Sequence, residues 1–326
     1  MPGVIIYEVS RKVGIMILGL IKSNFPGERR VPLLPKDIQD FDNDLLVEEG
    51  FGSLLDIEDA DYERKGCRIL SREEVFKQAE AIFSLKLIQP SDYPHIRNNQ
   101  LIIGWTHPYG SGSSFMKEQA KPKDLVVVDL DNNSPKIFYE DEVCDAGIPQ
   151  GILYRNSFYA GAAGAMDALL KYGLIPDESV NIAILGSGNV SQGAFYAVSK
   201  FTSKVRMFYR RTMPVFKDTL DAYDIIINGI EVGPENEPIL SLQEQKKLKR
   251  GAFIIDTAAD AGNAIQGDHF TKLSDSIYKE NGLYYYVVPN TPSIAYRNIS
   301  KYLSRQLSRY VFKEDTARFN EIRNHA

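Results

Sequence analysis

Cysteine and histidine are scarce in this 326-residue chain, and their positions exclude several kinds of site. The two cysteines, Cys67 and Cys144, lie far apart and form no CxxC spacing, so the sequence predicts neither a disulfide framework nor a zinc site. The four histidines are too scattered for a metal-ligand motif. We therefore expect no metal centre, and a reducing cytoplasm as the site of action.

A surplus of positive charge is also absent, because the net charge is −5. The sequence therefore predicts no general attraction to nucleic acid or to an anionic membrane. The apolar stretch Val13–Ile21 is too short to span a membrane. Arg11 and Lys12 precede it, as in a signal peptide, but no small-residue cleavage site follows. We interpret the stretch as a buried first strand and expect Met16 to be the natural start.

Strand-like apolar runs alternate with helix-like segments almost throughout the chain, which is typical of parallel α/β layers. The length favours two domains. The predicted strands are Met16–Lys22, Leu45–Glu49, Ala81–Leu87, Leu101–Trp105, Leu125–Leu130, Ile182–Leu185, Val205–Tyr209, Asp224–Asn228, Phe253–Asp256 and Tyr284–Val288.

Capping signals and small residues mark several helices. Ser71 with Glu74 and Ser241 with Glu244 form capping boxes, and we expect Gly251 to close the second of these helices. The alanine- and glycine-rich segment Ser157–Tyr172 is predicted to be a helix that allows close approach, either at an interface or as a plain buried helix. The amphipathic tail after Pro289 is predicted to pack back on the first set of strands.

A dinucleotide site is predicted where the strand Ile182–Leu185 runs into a glycine loop and a helix. Gly186 allows a tight turn, and Gly188 lets the backbone approach a pyrophosphate at the positive helix N-terminus. Ser191 stands where a third glycine is usual, with Gly193 two residues on. The cofactor-binding residues predicted in this loop are Gly186, Ser187, Gly188, Asn189 and Val190.

The residues after the next strand favour NADP(H) over NAD(H). NAD sites carry an acid there for the ribose 2′-hydroxyl, whereas this chain has Tyr209, Arg210, Arg211 and Thr212. Guanidinium groups pair with a 2′-phosphate that a carboxylate would repel. The alternative interpretation is a solvated basic loop after an edge strand.

Several ionisable side chains fall where parallel strands end, which is where open α/β sheets bind ligands. Lys86 closes one predicted strand and His107 follows the next. Arg30, in a loop after the first strand, suits a substrate carboxylate, unless it only pairs with Glu28 at the surface. Asp260 follows a late strand and is either an acid near the nicotinamide or a turn residue.

Long ordered strings give the chain a resemblance to the superfamily of alanine dehydrogenase, pyridine nucleotide transhydrogenase and saccharopine dehydrogenase. They include IKSNFPGERRVPLLPKDI, AIFSLKLIQPSDYPH, IIGWTHPYGSG, NSFYAGAAGAMDALL, AILGSGNVSQGAF, FIIDTAADAGN and YYYVVPNTPS. The resemblance implies two Rossmann-like, doubly wound parallel-sheet domains with the active site in the cleft that they form. It places the substrate domain at residues 1–155 plus 290–326 and the NADP(H) domain at 156–289.

The branch with the nearest strings joins pyruvate to the side-chain amine of ornithine and reduces the imine with NADPH. The resemblance makes Lys86, His107 and Asp260 catalytic and assigns substrate binding to Arg30, Lys86 and His107. It also adds Asn290, at the mouth of the cleft, to the cofactor-binding residues. It also implies a homo-oligomer. Where alanine dehydrogenases carry an essential lysine, this chain has Ile88.

Other functions stay open at this point. One alternative is an amino-acid dehydrogenase that uses ammonia, or a lysine-directed enzyme of the saccharopine type. Another is a non-catalytic NADP(H)-binding subunit, which needs no acid–base pair such as Lys86 and His107.

Overall fold

The computed structural model describes residues 16–130, 134–258 and 261–324. The predicted start at Met16 concerns the preceding residues, 1–15, which lie outside the described ranges. The chain forms two compact units. Unit 1 contains residues up to Pro26, Val31–Ile152 and Leu303–Ala326, and unit 2 contains Gly27–Arg30 and Leu153–Tyr302. Residues 290–302, assigned above to the substrate domain, thus pack within unit 2.

Unit 1 is built on an eight-stranded sheet with the order β3-β2-β1-β4-β5-β6-β7-β8. The first six strands are parallel, and the last two are antiparallel additions. The order reverses between β1 and β4, which creates a switch point at their carboxyl ends. The strands are β1 Ile17–Ile21, β2 Asp44–Glu48, β3 Arg68–Leu70, β4 Ala81–Lys86, β5 Leu101–Trp105, β6 Val126–Asp129, β7 Lys136–Tyr139 and β8 Glu142–Asp145.

Short helices and the chain's tail cover this sheet. The helices are α1 Asp59–Glu63, α2 Arg72–Gln78 and α3 Ser113–Phe115. Phe312 from the tail packs edge-on against Phe83 of β4, with ring centroids 4.8 Å apart. Asn43 donates hydrogen bonds to the carbonyls of Phe312 and Glu314. The tail therefore packs into the core of unit 1.

Unit 2 is a six-stranded sheet with the order β10-β9-β11-β12-β14-β13, in which only the pair β13–β14 is antiparallel. Its central strands are buried on both faces, with Ile182 and Ile184 in one apolar cluster and Ala183 and Leu185 in another. The strands are β9 Ile182–Leu185, β10 Val205–Phe208, β11 Ile225–Asn228, β12 Phe253–Asp256, β13 Ile277–Glu280 and β14 Leu283–Tyr286.

The small-residue helix α4, Tyr154–Tyr172, lies against α5, Asn189–Val198. A Cβ on Gly161 would come within 1.8 Å of the Val190 carbonyl oxygen, and one on Gly193 within 1.7 Å of that of Phe158. These two glycines set the separation of the helices. The remaining helices are α6 Met213–Asp218, α7 Leu242–Gln245 and α8 Tyr296–Leu307.

Two helix-end predictions have different outcomes. Ser71 and Ser241 both cap helices, with Ser241 and Glu244 forming the reciprocal box. The prediction that Gly251 ends the second helix is wrong, because α7 stops at Gln245 and Gly251 instead occupies a separate turn at φ +88°. Across the described ranges, no helix has both the length and the apolar character that crossing a membrane requires.

Candidate active site

Lys86 ends β4 at the switch point of the unit 1 sheet. Its ammonium lies 5.4 Å from the ring centroid of Trp105 on β5 and 5.6 Å from that of Phe25, which follows β1. A β-bulge at Ser84–Lys86 re-aims the end of the strand, and the Ser84 hydroxyl donates to the Lys86 carbonyl at 2.6 Å. The sheet therefore presents a half-buried cation between aromatic rings at its ligand-binding edge.

His107 lies two residues beyond β5, at the same edge of the sheet as Lys86. Its φ of +47° is in the left-handed region, which costs a non-glycine residue about 1–3 kcal/mol. The buried carboxylate of Asp129, at the end of β6, accepts hydrogen bonds from the backbone of Thr106 at 2.8 Å and of His107 at 3.3 Å. Asp129 thus holds the turn that carries His107, and the sequence analysis missed this residue.

An ion-pair network braces the loops next to Lys86. Arg72 donates two hydrogen bonds to Asp92, at 2.8 and 2.7 Å, and one to Glu48 at 2.7 Å. It also donates to the carbonyl of Lys22, the residue after β1. Burial would lower the pKa of Arg72, but its two carboxylate partners raise it above the ordinary value. The network fixes the exit of β1 to the turn that follows β4.

A cavity of about 610 Å³ opens at the other edge of the same sheet. It is lined by the first residues of three strands, Ile17, Asp44 and Arg68, together with Asp40 and Lys65. None of the predicted site residues lies there, and the amino ends of parallel strands are not where such sheets bind ligands. The cavity therefore does not coincide with the sheet edge that carries Lys86 and His107.

The glycine loop of unit 2 follows β9, where the strand order of that sheet reverses. Gly186 has φ +102°, and a Cβ there would lie 2.5 Å from the Ser191 hydroxyl, so no other residue fits. Around Gly188, by contrast, a Cβ would meet nothing within 4 Å. Ser187, Gly188 and Asn189 are exposed at the start of α5. The loop therefore has the open backbone that a pyrophosphate needs.

Ser191 stands at the position of the usual third glycine, and a neighbouring glycine leaves room for its side chain. Its buried hydroxyl donates to the Leu185 carbonyl at 2.8 Å. A Cβ on Gly229, after β11, would lie 2.4 Å from that same hydroxyl. Glycine at 229 thus makes room for serine at 191, while Gly193 gives α5 its close contact with α4. The imperfect glycine pattern is therefore compatible with the dinucleotide fold.

The turn after β10 lies beside this loop, because the Gly186 amide donates to the Phe208 carbonyl. Arg210 and Arg211 are exposed on it. The Thr212 hydroxyl accepts a hydrogen bond from the Tyr209 amide at 3.0 Å and so closes the turn. The predicted 2′-phosphate residues are thus next to the glycine loop, with their guanidinium groups exposed to solvent.

Arg30 lies in a buried polar cluster of unit 2. Its Nε and Nη2 donate to the Glu28 carboxylate, Nη2 also donates to Asn290 at 2.8 Å, and Nη1 donates to Asn156 at 2.6 Å. Burial would raise the pKa of Glu28, but the charge and hydrogen bonds of Arg30 lower it to about 2. The pairing considered in the sequence analysis therefore forms, although buried rather than at the surface. Arg30 and Asn290, predicted separately, are in contact.

The predicted late-strand acid Asp260 lies outside the described residues, whereas the acids Asp256 and Asp268 are described and buried. Asp256 ends β12 and is 1% exposed, and its carboxylate accepts hydrogen bonds from the Asn228 side chain at 3.1 Å and from the Ala258 amide at 2.9 Å. Burial and the negative charge of Asp268 raise the pKa of Asp256. In the described ranges, no group of three or more His, Cys, Asp or Glu side chains is arranged to hold a metal ion.

Two family models match most of the chain. The alanine dehydrogenase/PNT N-terminal domain matches residues 19–132, and the alanine dehydrogenase/PNT C-terminal domain matches residues 172–325. Among solved structures, an L-alanine dehydrogenase superposes with a TM-score of 0.72 at 19% identity, covering 91% of this chain and 89% of that one. A transhydrogenase from Sinorhizobium meliloti gives 0.72 at 16% identity, covering 90% and 92%. These likenesses show the fold.

Curated relatives are much closer in sequence. The N(5)-(carboxyethyl)ornithine synthase of Lactococcus lactis subsp. lactis strain IL1403 is 65% identical over 309 residues, which are 95% of this chain and 100% of that protein. The protein of the same name from Clostridium botulinum strain Hall is 52% identical over 301 residues, 92% of this chain and 95% of that protein.

Proposed function

The chain belongs to the family of N(5)-(carboxyethyl)ornithine synthases, oxidoreductases built from the two alanine dehydrogenase/PNT domains, and on that basis we propose its reaction. It condenses the keto group of pyruvate with the side-chain amine of L-ornithine and reduces the product with NADPH. The observation that supports this chemistry best is the placement of Lys86 and His107 on neighbouring strand ends at the ligand-binding edge of unit 1.

The cofactor is proposed to bind entirely within unit 2. Its pyrophosphate meets the open backbone at Gly186–Val190, and Arg210 and Arg211 pair with the 2′-phosphate beside Tyr209 and Thr212. When bound, the cofactor supplies the hydride that reduces the carbon–nitrogen double bond. Asp260 and Asn290 complete the proposed nicotinamide surroundings.

Proton transfer is assigned to Lys86 and His107. The deprotonated side-chain amine attacks the keto carbon, and a C–N bond forms while the carbonyl oxygen takes a proton. The resulting carbinolamine takes up a second proton on that oxygen and loses water, leaving the protonated imine. One of the two residues donates the first proton, and the other accepts the proton that the amine releases and returns it to the departing hydroxyl. Arg30, oriented by Glu28 and Asn290, is proposed to bind the keto-acid carboxylate.

One assay tests the proposal. Purified protein is given NADPH and pyruvate with ornithine, with lysine, with ammonia, or with no amine, and NADPH oxidation is followed. We expect oxidation with ornithine, weaker oxidation with lysine, and none without an amine. Preferred use of ammonia would instead assign an alanine dehydrogenase activity, and no oxidation with any amine would favour a binding subunit.

The resemblance also supports a homo-oligomer that acts in the cytoplasm. Light scattering on the purified protein measures its mass in solution. A mass equal to one chain would contradict the proposed assembly.

A further inference from the structure

Arg29 and Arg30 are neighbours in the sequence, but their charges are balanced differently. The Arg30 guanidinium is buried and forms an ion pair with the Glu28 carboxylate, which is also enclosed. Arg29 is exposed, and no carboxylate of the described ranges forms an ion pair with its guanidinium. The proposed reaction uses Arg30 and leaves Arg29 without a role.

The position of Arg29 is fixed at its backbone and at its guanidinium. Its amide donates to the Glu28 carboxylate at 3.0 Å and to the Ser293 hydroxyl at 3.1 Å. Its guanidinium lies over the ring of Tyr296, the first residue of α8, 4.1 Å from the ring centroid. An aromatic ring contacts a guanidinium without consuming its N–H donors. Arg29 is therefore held in place with donors that can bind a ligand.

The charge of Arg29 is not balanced by the nearest acid. The Glu28 carboxylate is paired with Arg30 and also accepts hydrogen bonds from the Ser293 hydroxyl at 2.8 Å and from the Asn290 side chain at 3.1 Å. Its one negative charge is thus matched by the buried arginine, and the second arginine leaves a surplus of one positive charge at the surface. A bound carboxylate would balance that surplus, because a guanidinium pairs with it through two parallel hydrogen bonds.

This pair of arginines is connected to the carboxyl edge of the unit 2 sheet. A Cβ on Gly164 of α4 would lie 2.6 Å from the Thr257 methyl group and 3.3 Å from that of Thr291. Thr257 directly follows β12, and Thr291 belongs to the same turn as Ser293, which binds the Arg29 amide. Arg29 is therefore joined through this turn to the edge where the cofactor is proposed to bind.

We propose that Arg29 binds the α-carboxylate of the amino-acid substrate and so selects an α-amino acid over a plain diamine. This inference rests on the proposed function, in which the two substrates bring two carboxylates and Arg30 takes only that of the keto acid. Arg29 is thus a specificity-determining residue for the amine substrate.

L-Ornithine and 1,4-diaminobutane test the inference, because they differ only in the carboxylate. Their kcat/KM values are compared at saturating NADPH and pyruvate. We expect the wild type to prefer ornithine at least about tenfold, as is typical of a charge-assisted pair. In Arg29→Met the preference should fall to about one, since only ornithine loses a partner. Arg29→Lys should keep part of it, because an ammonium has the charge but not the fork.

Two controls separate this pair from a general effect of charge or folding. Arg297→Met removes another exposed arginine, whose guanidinium lies 5.6 Å from the centroid of the Tyr296 ring, and should keep the wild-type preference. In Arg29→Met, the KM of pyruvate and the Kd of NADPH should change less than about twofold, because neither ligand is assigned to Arg29. An equal loss of preference in Arg297→Met would overturn the proposal.

Calorimetric titration of the NADPH-loaded protein with the same two amines distinguishes failure of this inference from failure of the proposed function. Turnover of ornithine with an unchanged preference in Arg29→Met would refute the role of Arg29 and leave the function standing. Tighter binding of ornithine than of diaminobutane, lost in Arg29→Met but without turnover of any amine, would support Arg29 and refute the function. A wild type with neither turnover nor ornithine preference would overturn both.

Discussion

The position of Lys86 between two aromatic rings predicts what its replacement does to turnover. Lys86→Met keeps an unbranched chain that can pack against Phe25 and Trp105, but it removes the proton-carrying group. We expect turnover to fall at least about a hundredfold, as is typical when an acid–base group is lost, while the Kd of NADPH changes less than about twofold. Steady-state kinetics and cofactor titration measure both. Lys77→Met, at a side chain that is 71% exposed, is the control; unchanged turnover in Lys86→Met would refute the assignment.

The lowered pKa of Glu28 predicts a contribution to the free energy of unfolding that depends on pH. Its pKa is held at about 2 by Arg30 against the opposing effect of burial, whereas the ordinary value is 4.5. A lowered acid pKa stabilises the native state above the unfolded pKa, and this contribution is lost as the pH falls toward 2. The shift corresponds to about 3 kcal/mol. In urea unfolding, Glu28→Gln should be less stable than wild type at pH 6, and the gap should shrink from pH 4.5 downward. A gap that does not depend on pH would contradict this origin.

Cofactor choice is expected to depend on the turn after β10. Changing Tyr209 to Asp and both Arg210 and Arg211 to Ser places a carboxylate where the ribose 2′-hydroxyl would lie and removes the 2′-phosphate partners. The ratio of kcat/KM for NADPH to that for NADH should fall roughly a hundredfold, since each charge-assisted contact contributes about 1.5–3 kcal/mol. Arg206→Ser, which changes an exposed arginine within β10 itself, should leave the ratio unchanged. A surviving NADPH preference in the triple variant would place the 2′-phosphate elsewhere.

The glycines at the helix pair α4–α5 are expected to have two different roles: Gly193 allows the helices to pack, and Gly188 allows the cofactor to bind. Gly193→Ala drives a methyl group into the Phe158 carbonyl and should lower the free energy of unfolding by about 1–3 kcal/mol. Gly188→Ala meets no protein atom within 4 Å and should leave stability nearly unchanged, yet weaken NADPH binding at least about tenfold. Urea unfolding and cofactor titration measure the two effects. Equal NADPH affinity in Gly188→Ala and wild type would mean that the pyrophosphate does not approach this residue.

The buried strands were predictable from the sequence, but the peripheral strands were not. The predicted Leu101–Trp105, Ile182–Leu185 and Phe253–Asp256 match the observed strands residue for residue, because long apolar runs produce buried parallel strands. The strand β8, whose four residues are all exposed, was not predicted because its sequence carries no hydrophobic pattern. The strands β3, β7 and β13, which lie at or near the sheet edges, were not predicted either.

Candidate site residues could be predicted from the sequence only where an ionisable side chain lies at the end of a predicted strand. Lys86 and His107 stand out because each follows an apolar run, and parallel strands end at one edge of the sheet. Asp129 holds the His107 turn from 22 residues away, and Asn228 donates to Asp256 from 28 residues away. Such partners depend on tertiary packing, which periodicity does not encode. The Arg72 network likewise joins segments 20 and 24 residues apart.

At the scale of the whole molecule, the tail from Leu303 belongs to a unit whose other residues come from the first half of the chain. Phe312, fully buried against Phe83, anchors this return. Because the chain has two compact units, its unfolding need not be a single two-state transition, and a probe confined to one unit is required. The sequence supplies one, because Trp105 is its sole tryptophan and lies buried in unit 1.

Phe312→Ala should therefore destabilise the unit that Trp105 reports on. Removing a buried phenylalanine costs about 3–5 kcal/mol, so the tryptophan fluorescence transition should shift to clearly lower urea. Phe201→Ala, at a half-exposed phenylalanine of unit 2, should leave that transition in place. Since the cofactor is proposed to bind within unit 2, folded Phe312→Ala should keep the wild-type Kd for NADPH. An unshifted fluorescence transition would show that the tail does not complete unit 1, because loss of a core contact must appear in the stability of the unit that contains it.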